Sequence, residues 1–552
     1  MRDHSPLIEP RNLPDTERPK APTGPATTVD RTILLRRIIF GGLVGGTILA
    51  MIVAMVRSLS PGGFGALDLL MVALFAVTLP WTAIGFWNAV IGLWLMRTRA
   101  DPAAAVFPAL ADADDSTPIT ASTALLSCIR NEDAGPVFGK LARMIDELDK
   151  AGTADRFHVY VLSDSTFSDV IRDEEARFAA LKSRYGSRMA LTYRRRTDNY
   201  GFKAGNIRDF CERWGKDHDF MLTLDADSFI TAPAILRLVR LMQTRPELGI
   251  IQSLVVGLPS ASAFTRVFQF GMRLGMRSYT TGSAWWQGDC GPYWGHNAII
   301  RLAPFMESCH LPVLPGTSPL SGVVLSHDQV EAVLMRRAGY EVRVIAEDGE
   351  SYEENPPNLN EFIRRDLRWC HGNMQYFKLL NLPDVRLISR MQLVLAILMF
   401  IGAPAWLGFM ALATSRFIAV DDPLSVIDPA MGLMVFASIM TMVFAPKFAT
   451  IIDILADGRR RHDFGGGLAI LLSALLELVF AALIAPIMAV AQTVFLAGLP
   501  FGRANPWPAQ RRDVHGLPVR FAARRLWAPT LFGAVGLAVL GMASSGFALV
   551  AA

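Results

Sequence analysis

Phe220-Met221-Leu222-Thr223-Leu224-Asp225-Ala226-Asp227-Ser228 reads as a short apolar strand that ends in two carboxylates one residue apart. In open, mostly parallel α/β sheets, ligands bind beyond the carboxyl ends of the strands, so this acidic pair stands where chemistry is expected. Two carboxylates so spaced on a turn hold a hard divalent cation, Mg2+ or Mn2+, when a diphosphate supplies the remaining oxygens. A solvated turn has the same composition, and this strand alone does not choose. Working outward, Thr123 to Ile129, Phe157 to Leu162, Met189 to Tyr193 and Gly249 to Leu254 are also β-rich, while 136 to 149, 169 to 185 and 232 to 243 carry helical periodicity. That alternation predicts βαβ units and a mostly parallel sheet, within a domain running from 97 to 387.

The rest of the 552-residue chain is of another character, since a mean hydropathy of +0.31 is too apolar for an ordinary soluble protein. Stretches 38 to 56, 69 to 96, 391 to 415, 464 to 502 and 526 to 552 are long enough to cross a bilayer, and 429 to 446 is borderline. They predict two transmembrane helices over 34–96, two more over 388–455 and one over 526–552. Stretch 464–502 is long for one span, short for two, and interrupted by Glu477 and Pro486, so it predicts a tight hairpin or interfacial helices. Residues 1–33, rich in proline and mixed charge, predict a disordered tail. Arg31, Arg36 and Arg37 precede the first span and Arg97 and Arg99 follow the second, which places the tail and the large domain in the cytoplasm. Asp421, Asp422 and Asp428 put the loop 416 to 428 on the opposite side, and Arg459, Arg460 and Arg461 bring the chain back. The arginine-rich stretch 503–525 reads as a cytoplasmic basic loop, either gating the site or lying on the membrane surface. All five cysteines fall in the large domain with no metal or redox spacing, which suits a reducing compartment. A net charge of +4 argues against a nucleic-acid partner.

Four further motifs carry chemistry. Asp164 closes the strand Phe157 to Ser163 and opens onto the same sheet edge as Asp225 and Asp227; it suits a nucleotide base or ribose, or a helix cap. Lys203 lies between Gly201 and Gly205 before a helix, where backbone amides and a cation can approach phosphate. Asp328, after His327, starts an amphipathic helix and suits either a cap or a general base that deprotonates a hydroxyl. Arg365, Arg368 and Trp369 lie in a helix before the third span; arginines offset a leaving diphosphate and an indole offers a face to a sugar ring, though a basic membrane-proximal face has the same composition.

The succession Asp164, Asp225-Ala226-Asp227, His327-Asp328 and Arg365-Asp366-Leu367-Arg368-Trp369, followed at once by spans, resembles the processive family 2 glycosyltransferases, cellulose and hyaluronan synthases among them. Their motifs are D, DxD, [TE]D and QxxRW; here Arg365 replaces the usual Gln and His327 the usual Glu. Longer strings, including Trp294 to Arg301, Ser326 to Gly339, Gly349 to Asn358 and Arg368 to Asn373, are similar to the glucans biosynthesis glucosyltransferase H branch from about 120 to 510. The resemblance implies an α/β cytoplasmic GT-A-type glycosyltransferase domain inserted between α-helical transmembrane segments of a bacterial inner membrane. It further implies UDP-glucose as donor, Mg2+ or Mn2+ as cofactor, a growing glucan as acceptor, and a β-1,2-linked product of osmoregulated periplasmic glucan synthesis. By residue, it gives uridine to Asp164, nucleotide or metal to Asp225, metal and diphosphate to Asp227 and the base to Asp328. Arg365, Arg368 and Trp369 would hold the diphosphate and acceptor end, and Trp294, His296 and Asn297 the acceptor pocket. Membrane lipid and periplasmic glucan biosynthesis proteins are the further partners implied. The rival readings are a synthase of another β-glucan, cellulose- or curdlan-like, and a catalytically dead transporter or scaffold.

Overall fold

Asp30 starts the first helix by accepting a hydrogen bond from the Thr32 amide at 2.8 Å, and the computed structural model describes residues 30–317, 319–418, 420, 425–502 and 518–543. Helices α1 (Arg31–Leu59) and α2 (Ala66–Thr98) run antiparallel, and the short α3 (Pro102–Val106) leads into the α/β domain. There the order is β1 (Thr123–Ile129), α4 (Ala134–Lys150), β2 (Phe157–Ser163), α5 (Ser168–Tyr185), β3 (Ala190–Arg195), α6 (Phe202–Trp214) and β4 (Phe220–Asp225). It continues through β5 (Phe229–Ile230), α7 (Ala232–Thr244), β6 (Leu248–Ser253), β7 (Val256–Gly257), α8 (Ala263–Gln287), β8 (Ala298–Arg301) and α9 (Leu302–Ser308). The domain closes with α10 (His327–Arg337), β9 (Glu341–Ile345), β10 (Ser351–Glu353) and α11 (Leu359–Met374).

Seven strands form the main sheet in the order β3-β2-β1-β4-β8-β6-β9, parallel except where β8 runs against both β4 and β6. Alternate residues of the strands feed two cores. Leu125, Val159, Val161, Leu222 and Leu224 pack with Phe138, Leu141 and Ile145 of α4 and Val239 of α7; Leu126, Tyr160, Leu162 and Met221 pack with Phe210 of α6 and Val333 of α10. A second sheet, β5-β10-β7, folds over the end of β4, because β5 begins two residues after Asp227 and pairs with β10 through Phe229 and Tyr352.

The chain then enters α12 (Leu387–Ile418), α13 (Pro429–Ala456), the short α14 (Gly458–Asp463), α15 (Gly467–Gly498) and α16 (Val519–Ala543). Five of the described helices, α1, α2, α12, α13 and α15, are long and apolar enough to cross a membrane. Helix α8, which hydropathy alone passes over, lies across them. A Cβ on Gly92 of α2 would meet the Ser278 carbonyl of α8 at 1.9 Å, and one on Gly282 would meet the Asn88 carbonyl at 1.9 Å, so only glycine permits this approach. Further along, Ser278 Oγ donates to the Pro446 carbonyl of α13 at 3.0 Å, and Phe40 of α1 stacks on Trp286 at 4.5 Å.

Two sequence expectations need correction; α12 and α13 follow the two helices expected over 388–455. Stretch 464–502 forms no hairpin but one helix of 32 residues. Glu477, which alone interrupts that apolar run, pairs with Lys447 of α13 at 2.6 Å. The basic stretch ends in helix, since α16 begins at Val519 directly after Pro518, so 519–525 are not loop. Residues 1–29 of the expected tail, Asp421, Asp422, 503–517 and 544–552 lie outside the described residues, and α1 already begins at Arg31.

Candidate active site

The carboxyl ends of β1, β2 and β4 open into a cavity of about 230 Å³. Asp164, Lys203, Asp225, Asp227, Trp294, His296, Arg365, Arg368 and Trp369 all line it, although they are spread over 205 positions of sequence. The parallel register brings Asp164 and Asp225 to one edge, since both strands flank β1 and end level with Ile129 and Cys128.

Asp164 is buried and forms a two-pronged ion pair with Arg196, whose Nε and Nη2 donate to its two oxygens at 2.8 and 2.6 Å. Arg196 also donates to the Phe202 carbonyl at 2.9 Å, stapling the end of β2 to the first residue of α6. Asp164 therefore caps no helix. Asp225 pairs with Lys203, whose ammonium also donates to the Gly295 carbonyl at 2.8 Å. Lys203 thus holds the first carboxylate of the pair in place at the cavity wall. Burial pulls this lysine's pKa down, but the Asp225 charge outweighs it and the ammonium is held above its usual range. Cys128, also on the wall, is a protonated thiol, because burial pushes it up to about 12.

Asp328 sits in the first turn of α10, behind the lining, against Gly295. Gly295 has φ +84°, and a Cβ there would lie 3.4 Å from the Asp328 Cβ and 3.7 Å from its Oδ2. The N-cap of α10 is Ser326, not Asp328, and it makes no side-chain cap hydrogen bond. His327 turns away into the core, with Nδ1 3.0 Å from Glu331 Oε2. Asn297 does not line the cavity. It is fully buried, and its Nδ2 donates to Ser351 Oγ at 2.9 Å, tying β8 to β10. Its backbone is left-handed, with φ +50°, and its Nδ2 also donates to the Tyr352 carbonyl at 3.2 Å.

The opposite wall is α11. Arg365 stacks over the half-exposed Trp369 ring at 4.8 Å, and Arg368 is buried beside it. Burial, with the like charges of Arg365 and Arg364, pulls the Arg368 guanidinium down to about 10. The cavity thus faces carboxylates on one side and guanidinium groups on the other. Among the described residues no three His, Cys, Asp or Glu side chains form a ready-made metal shell. Asp225 and Asp227 are hard oxygen donors, and they fit a hard divalent cation whose other ligands come from a diphosphate.

The comparisons bear on this geometry. A glucans biosynthesis glucosyltransferase H of Rhodopseudomonas palustris is 36% identical over 495 residues, covering 87% of this chain and 68% of the relative. The protein of the same name from Vibrio cholerae is 34% identical, covering 87% and 67%. This chain belongs to the glucans biosynthesis glucosyltransferase H family. It spans 55% of a third such glucosyltransferase, from Pseudomonas paraeruginosa, at 35% identity. Family models described as glycosyl transferase family 2 and glycosyl transferase family group 2 match residues 128–308 and 220–448. A mannosyltransferase from Pyrobaculum calidifontis, solved with GDP-mannose and Mn2+, is 15% identical with a TM-score of 0.43, covering 73% of this chain and 99% of its own.

Several lining residues of this family 2 glycosyltransferase escaped the sequence reading. Glu353, at the end of β10, has Oε2 3.4 Å from His296 Nε2. Burial raises its pKa, His296 and Arg365 oppose the rise, and the charges of Asp227 and Asp225 add to it. Its only signal was the acidic pair Glu353-Glu354 after a three-residue strand. Arg130 and Glu132, just after β1, join the wall, and Arg130 sits 5.8 Å over the Phe202 ring. Charges that follow a buried strand were visible there too, by the same rule that singled out Asp164.

Proposed function

We propose that this chain polymerises glucose from UDP-glucose into the β-1,2-linked backbone of osmoregulated periplasmic glucans, at the cytoplasmic face of a bacterial inner membrane, and passes the product outward. The observation that carries this reading is the single cavity where Asp164, the Asp225/Asp227 pair and the Arg365/Arg368/Trp369 helix meet, with Asp328 directly behind Gly295. The names of the relatives support glucose and glucan.

In the proposed reaction Asp164, fixed by Arg196, receives the uridine, and Arg365 and Arg368 face the diphosphate. Mg2+ or Mn2+ on Asp225 and Asp227 would neutralise diphosphate charge as the bond to the sugar breaks. Trp369, Trp294 and His296 hold the glucan end. The acceptor's 2-hydroxyl oxygen attacks the anomeric carbon from the face opposite the diphosphate and its proton passes to Asp328; UDP leaves with the electron pair of the broken C–O bond. One displacement inverts the α-linked donor, so no protein nucleophile is required. Passage into the membrane is supported by the seat of α11, whose Asn373 Nδ2 donates to the Ala396 carbonyl of α12 at 3.1 Å and whose Asp366 accepts from Gln492 of α15.

The test is incubation of the purified chain in vesicles with labelled UDP-glucose, with and without a chelator, followed by linkage analysis. The expected product is a metal-dependent 1,2-linked glucan; 1,3- or 1,4-linked polymer would replace this reading with that of another β-glucan synthase. Asp328→Asn is expected to bind UDP as before and to lose transfer, and retained turnover would remove Asp328 as the base.

A further inference from the structure

A second cavity, of about 310 Å³, lies along α8 and shares no lining residue with the first. Arg266, Arg273 and Arg277 line it, seven and four residues apart and so on one helix face, together with Phe270, Met276 and Phe464. Arg277 is committed to protein partners, with Asp453 at 3.2 Å and Asp348 at 3.8 Å. Arg273 reaches Asp348 only at 3.8 Å, stacks on Phe464 at 5.3 Å, and has a side chain 52% exposed. Arg266 is exposed and has no ion pair among the described residues. The lining thus holds three guanidinium groups and one carboxylate, Asp348.

The cavity's level relative to the spans is fixed by Asp453. This residue, near the end of α13, also takes Arg97 from the end of α2 at 3.8 Å and Arg460 from α14 at 2.9 Å. The cavity therefore lies where two apolar helices end, on the side of the catalytic domain. Just beyond Phe464, α15 turns Leu468, Leu471, Leu472, Leu475 and Leu476 outward, each more than half exposed. Cationic groups in a pocket at the end of the spans, continuous with an aliphatic helix face, match a ligand with an anionic head and long apolar tails.

We propose that this cavity binds the phosphodiester headgroup of an anionic glycerophospholipid, held by Arg266 and Arg273, with the acyl chains along the leucine face of α15. The lipid braces α8 against α15 at the floor of the catalytic domain.

The experiment places the full chain in phosphatidylcholine vesicles and measures retention of labelled phosphatidylglycerol by native mass spectrometry and by titration. A guanidinium that donates directly to the headgroup phosphate contributes on the order of fivefold in affinity, so Arg266→Gln is expected to weaken phosphatidylglycerol binding about fivefold and Arg266→Gln/Arg273→Gln about twenty-fivefold, with a smaller loss for charges outside the cavity. Both side chains are exposed, so both variants should melt as the parent does in phosphatidylcholine alone. Arg459→Gln/Arg461→Gln, exposed charges on α14 outside the cavity, is the control for diffuse attraction. Unchanged binding in the double variant, an equal loss in the α14 control, or displacement of the lipid by inorganic phosphate would each overturn the proposal. None of these outcomes depends on glucan synthesis.

Discussion

Replacing Asp366 with Asn is expected to stabilise the protein above pH 6 and to leave it unchanged near pH 4. On α11, Arg365, Arg368 and Trp369 face the cavity, whereas Asp366 accepts a hydrogen bond from Gln492 Nε2 of α15 at 2.7 Å. Burial lifts its carboxyl from an ordinary 3.8 to about 6, with the Gln492 bond and the Arg365 charge opposing the rise. A carboxyl whose folded pKa lies above its unfolded one binds more protons when folded. Its contribution is therefore fully present below the unfolded value and lost as pH rises through about 6. The interval between the two values corresponds to about 3 kcal/mol, an upper bound for what ionising Asp366 costs the folded state. Asparagine keeps an acceptor for Gln492 and cannot ionise. Thermal unfolding of parent and variant in detergent across pH 4 to 8 reads the difference between them, so groups common to both cancel. If the variant were less stable by the same amount at every pH, Asp366 would be charged and paired in the folded state, and the burial argument would fail.

Gly295→Ala should cost about 1–2 kcal/mol for a left-handed backbone with a Cβ, and by pressing on Asp328 should lower kcat on the order of tenfold without changing the Kd for UDP; an unaltered kcat would separate Gly295 from the base. Arg196→Ala removes one half of a buried ion pair and is expected to destabilise by about 3–5 kcal/mol while weakening UDP binding, both read by melting with and without UDP. Asp164 would have to be an independent surface carboxylate for that variant to behave as the parent. Gly282→Leu forces a side chain into the Asn88 carbonyl, which a Cβ alone would already approach to 1.9 Å; the expected outcome is loss of monodisperse protein on gel filtration, and normal recovery would mean that α8 does not cross α2 as described.

Much of this architecture could be read locally. The strands at Thr123–Ile129, Phe157–Ser163 and Phe220–Asp225 begin where the apolar runs begin, because buried parallel strands need continuous apolar residues and the next residue is free to carry charge. Asp164 and Asp225 were found by that rule. Glu353 was not, because β10 has three residues and owes its existence to pairing with β5, more than a hundred positions away. The hairpin expected over 464–502 failed for a related reason. Glu477 reads as a break in an apolar stretch, and its partner Lys447 lies thirty residues earlier on α13. Helix α8 escaped a search for apolar spans because it is amphipathic rather than apolar all round: arginines face one cavity and glycines face α2.

Long-range pairing of charges also explains how Asp328 is registered against the membrane helices. Asp289, just after α8, is buried and takes Arg37 of α1 at 2.5 Å, Arg336 at the last turn of α10, and Arg386 ahead of α12 at 3.7 Å. Burial alone would raise its pKa, but Arg336 and Arg37 outweigh that and hold the carboxyl below the usual range, so it stays ionised. Helix α10 carries Asp328 in its first turn and Arg336 in its last, and eleven helical residues span only about 16 Å. One end of that rod therefore stands beside Gly295 at the cavity and the other is clamped to the starts of α1 and α12. A helix so short cannot bend appreciably between its ends, so the position of Asp328 is set by the spans as much as by the sheet. In the proposed reaction, whose acceptor lies at the membrane boundary, that is the frame in which Asp328 has to be fixed.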